Sequence, residues 1–339
     1  MGDLPSKLAE LYIMDEGYKA NAVASVGNTI LAADTDHFDY QLVLASFEVS
    51  EAGEVELTSR NIILESQVDA EEYETMIYNV SASPDGYYYV LTGEAPRASL
   101  QIYTEKDSHE IKENPDYSGK YRIIRYSAEG ELLDSLDIPS LPTDGPGVFM
   151  ADKAGRLVIF GFTFEPYDDG DPYDTHTISS TSMFVVDFYT GEYETFRYGM
   201  NIVFSACPNG EKALVFADMM DEGTAGLYNV DLATGEFGRL DWEWTFGEAS
   251  STHRPICCQS GSGDVIVNNQ TYYGALDPET FDFRPILNSI PEELPIIIEF
   301  ENGPDFKDYP QFATCCRIGE NTFIGIDGLN APLYVVSPA

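Results

Sequence analysis

The chain predicts an all-β protein, a six-bladed β-propeller, on three observations. A strand of small residues, a glycine turn and an apolar strand recur six times; a second hairpin signature recurs between these copies; and the first residues can supply the one strand the last copy lacks. Four-stranded antiparallel units repeated at about 40 to 50 residues are what a propeller requires, since each sheet buries its two faces only against its neighbours in a ring. Seven blades is the alternative count, and one domain covers residues 1–339.

In chain order the first hairpins are NAVASVGNTILAADT (21–35), YNVSASPDGYYYVLTGE (78–94), GVFMADKAGRLVIFGFT (147–163), VFSACPNGEKALVFAD (203–218), RPICCQSGSGDVIVNN (254–269) and QFATCCRIGENTFIGID (311–327). Their turn glycines are Gly27, Gly86, Gly155, Gly210, Gly263 or Gly261, and Gly319. Glycine between two β-rich runs is the signal of a tight hairpin. The second hairpins carry EAGEVEL, SAEGELL, YTGEYETF, ATGEFGRL and DPETFDFR, each after an apolar strand. The sixth unit has only three strands, and LAELYIMD (8–15) is expected to zip onto it and close the ring, which removes an unpaired edge; an amphipathic N-terminal helix is the competing reading of this segment.

The first strand of each unit is read as the innermost, where only small side chains fit. Four residues before the turn stand Val23, Ala82, Ala151, Ala206, Cys257 and Cys315; three before it stand Ala24, Ser83, Asp152, Cys207, Cys258 and Cys316. The five cysteines thus serve as small buried residues. Neighbours on a strand point to opposite faces, so Cys257–Cys258 and Cys315–Cys316 do not pair; if a disulfide forms, Cys258 with Cys316 or Cys207 is expected.

Eight residues after the turn, at the end of the second strand, stand Thr35, Glu94, Thr163, Asp218, Asn269 and Asp327. All six carry side-chain oxygens, either as strand terminators or as a polar ring at the channel mouth. Asp218 and Asp327, with Asp152 deeper, form the candidate set for a metal, and calcium is the ion such oxygens suit. The long insertions 95–120 and 164–181 leave from this same end. The ligand face is therefore expected opposite the glycine turns. On it, Tyr167 and Tyr173 lie in the acidic loop FEPYDDGDPYDTH, Trp242 and Trp244 alternate in DWEWTFGE, and His253–Arg254 precede an inner strand.

Against 18 basic residues stand 58 acidic ones, a net charge of -40, which repels phosphate backbones and excludes nucleic acid as a partner. No apolar run is long enough to span a bilayer, and a signal peptide or lipid anchor is not contained in this chain. There is no GxSxG, HExxH, P-loop or zinc spacing.

The Asp/Asn-Gly and Thr-Gly-Glu turns resemble those of bacterial extracellular β-propellers, in particular modules ahead of solute-binding domains in Gram-positive surface lipoproteins. That resemblance implies a secreted or surface-attached, monomeric protein. The expected function is non-catalytic binding of carbohydrate, peptide or a partner domain. The rival is a propeller glycosidase or lyase whose acids are Glu94, Asp152, Asp218 and Asp327; a scaffold domain is the third reading.

Overall fold

The computed structural model describes residues 4–35, 40–65, 73–96, 120–138, 141, 145–152, 155–166, 176–199, 201–219, 224–240, 256–258, 264–268, 272–277, 279–280, 282–288, 296–298, 306–308, 312–327 and 333–339. Every regular element among them is a β-strand. After β1 (Ser6–Leu11), blade 1 is β2 (Ala22–Val26), β3 (Thr29–Ala33), β4 (Gln41–Val49) and β5 (Val55–Glu65). Blade 2 is β6 (Tyr73–Ala82), β7 (Tyr88–Pro96), β8 (Lys120–Tyr126) and β9 (Leu132–Ile138). Blade 3 is β10 (Gly145–Ala151), β11 (Arg156–Pro166), β12 (His176–Asp187) and β13 (Tyr193–Tyr198). Blade 4 is β14 (Asn201–Asn209), β15 (Lys212–Met219), β16 (Thr224–Asp231) and β17 (Phe237–Arg239). Blade 5 is β18 (Ile256–Cys257), β19 (Ile266–Asn268), β20 (Tyr272–Leu276) and β21 (Phe283–Asn288). A small hairpin, β22 (Ile296–Ile298) with β23 (Phe306–Asp308), precedes blade 6, which holds β24 (Phe312–Ile318), β25 (Thr322–Asp327) and β26 (Leu333–Pro338).

Each blade is a four-stranded antiparallel sheet in sequential order, and the sixth is completed by β1, in the order β1-β26-β25-β24. Leu11 lies opposite Leu333 and Ser6 opposite Pro338. The N-terminal segment is therefore a strand and not a helix. The ring closes by hydrogen bonds between the two ends of the chain. First strands touch in cyclic order, β2 with β6, β10, β14, β18, β24 and back to β2.

Small inner residues are the condition for that convergence. Val23, Ala82, Ala151, Ala206, Cys257 and Cys315 are all buried, as are Ala24, Ser83, Asp152, Cys207, Cys258 and Cys316. Hydroxyls stitch neighbouring blades together. Ser25 Oγ donates to the Arg317 carbonyl at 2.6 Å, Ala151 N–H to Ser81 Oγ at 3.0 Å, and Cys257 N–H to Ser205 Oγ at 3.1 Å. Tyr88 donates from its buried hydroxyl to the Thr29 carbonyl at 2.7 Å and accepts from Val26 N–H at 3.0 Å.

The Thr-Gly-Glu repeat is local chemistry at the second hairpin of blades 3 and 4. Asp187 Oδ1 accepts from Tyr189 and Thr190 N–H, and Asp231 Oδ1 from Ala233 and Thr234 N–H. The glycines that follow, Gly191 and Gly235, have φ of 73° and 74°, the left-handed region glycine enters without penalty. Blade 5 repeats the capping through Asp277. In blades 1 and 2 a serine, Ser50 or Ser127, takes the place of the aspartate.

Candidate functional site

First and second strands turn at the glycines on one face of the ring, the turn face; the second strands end on the other. Thr35 lies two residues beyond β3, while Glu94, Thr163, Asp218 and Asp327 lie within the last four residues of β7, β11, β15 and β25. Five of the six ring positions thus share one rim. The 95–120 and 164–181 insertions overlap the ends of strands that run on to Pro96 and Pro166, so this is also the insertion-bearing face. Asn269, Trp242, Trp244, His253, Arg254, Tyr167 and Tyr173 lie outside the described residues.

The blade 1 sector of the rim is spent on the protein's own backbone. Gln41, fully buried, accepts from Asp15 N–H at 3.0 Å and donates to Asp15 Oδ2 at 2.9 Å and Glu65 Oε1 at 3.3 Å. The Asp34 carboxylate, also buried, accepts Lys19 N–H at 2.8 Å, and Asn21 Oδ1 accepts Thr35 N–H at 2.9 Å. Arg60 donates to Asp15 at 2.5 Å and to the Ile13 carbonyl. Together these bonds pin the segment between β1 and β2 over the blade. The buried carboxylate here is Asp34, one residue before the expected Thr35. Its signal was present in the sequence as an acid at the close of an apolar strand.

Asp218 stands in the opposite condition. It is half-buried, opposite Ile202 on β14 and Ala225 on β16, and its carboxylate takes no partner among the described residues. A carboxylate held on a strand between apolar neighbours, without a partner, is available to a ligand.

Asp152 sits on the other face. Both of its oxygens are engaged by Arg156, Oδ1 by the backbone N–H at 3.0 Å and Oδ2 by Nε at 2.7 Å, and Arg156 reaches on to Glu211 of blade 4 at 2.9 Å. It closes the blade 3 turn and ties it to its neighbour, away from the rim. Among the described residues no group of three or more His, Cys, Asp or Glu side chains is placed to hold a metal ion. Two clefts, of about 490 Å³ beside Asn28, Glu51, Glu320 and Thr322 and about 450 Å³ beside Leu44, Ile62 and Leu132, lie between blades and do not touch the rim.

No protein-family model and no curated protein sequence matches the chain. Solved structures do. A gluconolactonase from Xanthomonas campestris, described as important in glucose secondary metabolic pathways, is 11% identical, with 98% of this chain and 90% of that one covered and a TM-score of 0.52. A Bacteroides thetaiotaomicron protein of unknown function is 11% identical over 98% of this chain and 76% of its own, with a TM-score of 0.49. A cobalt-substituted apocarotenoid oxygenase from Synechocystis is 9% identical over 75% and 57%, with a TM-score of 0.39.

At these identities the likeness establishes the propeller architecture. It also corrects one expectation. Of the two structures matched over 98% of this chain, one is an enzyme, so the propeller architecture does not carry the expectation of a non-catalytic binding module. A rim to which different blades each contribute one residue gathers its groups from distant segments, and no short contiguous motif in the sequence records them.

Proposed function

We propose that this chain is a propeller-fold enzyme that acts on a small carbohydrate-derived substrate at the rim where the second strands end, with Asp218 as a general acid or base. The observation that carries the reading is the unpartnered Asp218 carboxylate, on a rim where five blades each place an oxygen-bearing residue type at the end of the second strand. Support comes also from the gluconolactonase that shares the fold, which makes sugar lactones the first substrates to try and glycosides the second. Positioned carboxylates accelerate either hydrolysis by about 10² to 10⁴. For a glycoside, a second carboxyl group about 5 to 9.5 Å away is needed, and Glu94 and Asp327 are the rim residues of that type.

The test is hydrolysis of a panel of sugar lactones and aryl glycosides by the purified chain and by Asp218→Asn. Turnover that collapses in the variant supports the reading. Failure on the whole panel, or full activity in Asp218→Asn, overturns it. Calcium on Asp218 and Asp327 is the metal-assisted form of the same proposal, supported by the hard oxygen donors; a calcium-dependent rise in melting temperature, absent from both alanine variants, is its signature. Placement of the chain outside the cell is likewise a proposal, and what supports it is the turn chemistry it shares with extracellular propellers.

A further inference from the structure

All five cysteines are buried thiols, and strand parity distributes them between blades. Because successive residues face opposite sides of a sheet, each Cys-Cys pair sends one thiol into the gap on either side of its blade. Cys207 and Cys257 enter the gap between blades 4 and 5, among Leu214, Phe216 and Val267. Cys258 and Cys315 enter the gap between blades 5 and 6, among Ile266, Tyr273 and Phe323. Cys316 enters the gap between blades 6 and 1 alone, among Val23, Ile30 and Ala32. Two pairs and a single thiol account for the odd count of five.

The Cys258 and Cys315 sulfurs are 2.6 Å apart, well inside non-bonded contact and near the ~2.05 Å of a disulfide. The surrounding seam is already fixed in register. Tyr273 stacks on Phe323 with ring centroids 4.1 Å apart, and Arg317, on the same side of β24 as Cys315, pairs with Asp264 at 3.1 Å. The expected partners Cys316 and Cys207 are excluded by parity, since Cys316 faces blade 1 and Cys207 faces the other side of blade 5.

We propose that Cys258 and Cys315 form a disulfide that staples blade 5 to blade 6. The oxidant required is a dithiol–disulfide donor. A thiolate of one cysteine attacks the donor's disulfide and expels one donor thiolate; the second cysteine then attacks the mixed disulfide and expels the other. Two protein thiols lose two protons and two electrons, and the donor leaves as two thiols. Burial pushes both thiols up, and exchange needs thiolate, so refolding, when the seam is open, is the stage at which the bond is tested. The mechanical rationale lies in the seam, where Cys258, next to β18, meets Cys315 on β24 across two blades. The bond also closes a loop spanning 57 sequence positions, and long loops are those whose closure restricts the unfolded chain most.

The experiment is refolding in a glutathione redox buffer, followed by thiol counting in denaturant and peptide mapping without reductant. A Cys258–Cys315 linked peptide is expected, with three thiols remaining, or one if Cys207 and Cys257 close their own gap. Five thiols, or Cys258 linked elsewhere, overturns the proposal. Protein refolded with the bond should melt about 5 °C or more above protein refolded in dithiothreitol. That difference should vanish in Cys315→Ala, and its persistence there would assign it to another pair.

Discussion

The two faces of the ring use the same residue type to opposite ends. On the turn face, aspartate is consumed in building the fold: Asp152 is clamped by Arg156, and Asp187, Asp231 and Asp277 each cap the backbone of a hairpin. On the rim, outside the blade 1 sector where Asp15 and Asp34 are bonded, the Asp218 side chain has no partner among the described residues. Acidity alone therefore says little about function in a chain with 58 acidic residues. Partnership does, because a carboxylate held by donors of its own chain is committed to the fold, whereas one without them is open to a ligand.

The largest effect that separates the faces is on turnover. With a lactone or glycoside substrate, Asp218→Asn should lose about 10²-fold or more in kcat at an unchanged urea midpoint; a lower midpoint with normal turnover would make Asp218 structural and erase the contrast. Asp152→Ala should do the reverse. It strands Arg156 against the sheet and should cost about 2 kcal/mol of stability while kcat/KM holds, as read from urea unfolding and steady-state kinetics side by side.

Smaller effects belong to the turns. Gly235→Ala forces a β-carbon into a left-handed residue and to within 2.4 Å of the Phe196 ring, with an expected cost of about 1 to 2 kcal/mol; an unchanged melting temperature would mean the turn can rearrange. Smallest is the acid response of the capping aspartates. Backbone N–H donors hold Asp187, Asp231 and Asp277 below the ordinary carboxylate value. A carboxyl whose folded pKa is depressed lends stability that is complete above its unfolded value near 3.8 and is lost as pH falls through the lower folded one. Replacing all three by asparagine should lower the melting temperature slightly at pH 7, where the ionised caps lend their stability, and bring the variant and the wild type together as pH falls below 4. These groups are exposed to solvent, so a large change would mean they do more than cap turns.

Much of the architecture is legible in the residues because a propeller is periodic. Each glycine turn, each small inner strand and each capped hairpin repeats the same local problem, and six repetitions outweigh the ambiguity of any one. The closing strand at 6–11 was readable from an unpaired edge at the other end of the chain. The site was less legible. Thr35 marked the correct strand end, but the buried carboxylate there is Asp34, and whether it is spent on Lys19 depends on a connecting segment whose path no local pattern fixes. Asp152 and Asp218 both follow an apolar residue in a β-rich run; nothing in their neighbours tells a clamped carboxylate from an open one.

Parity shows the same division within the cysteines. The sequence by itself determined that adjacent cysteines face apart and that all five lie on inner strands, since a two-residue period and a size limit at the axis are local constraints. Which thiol meets which across a seam, Cys258 with Cys315 and not with Cys316 or Cys207, was decided only by the tertiary structure. The order and facing of blades around a closed ring is a global condition, and it is met through contacts between residues some 50 to 300 positions apart.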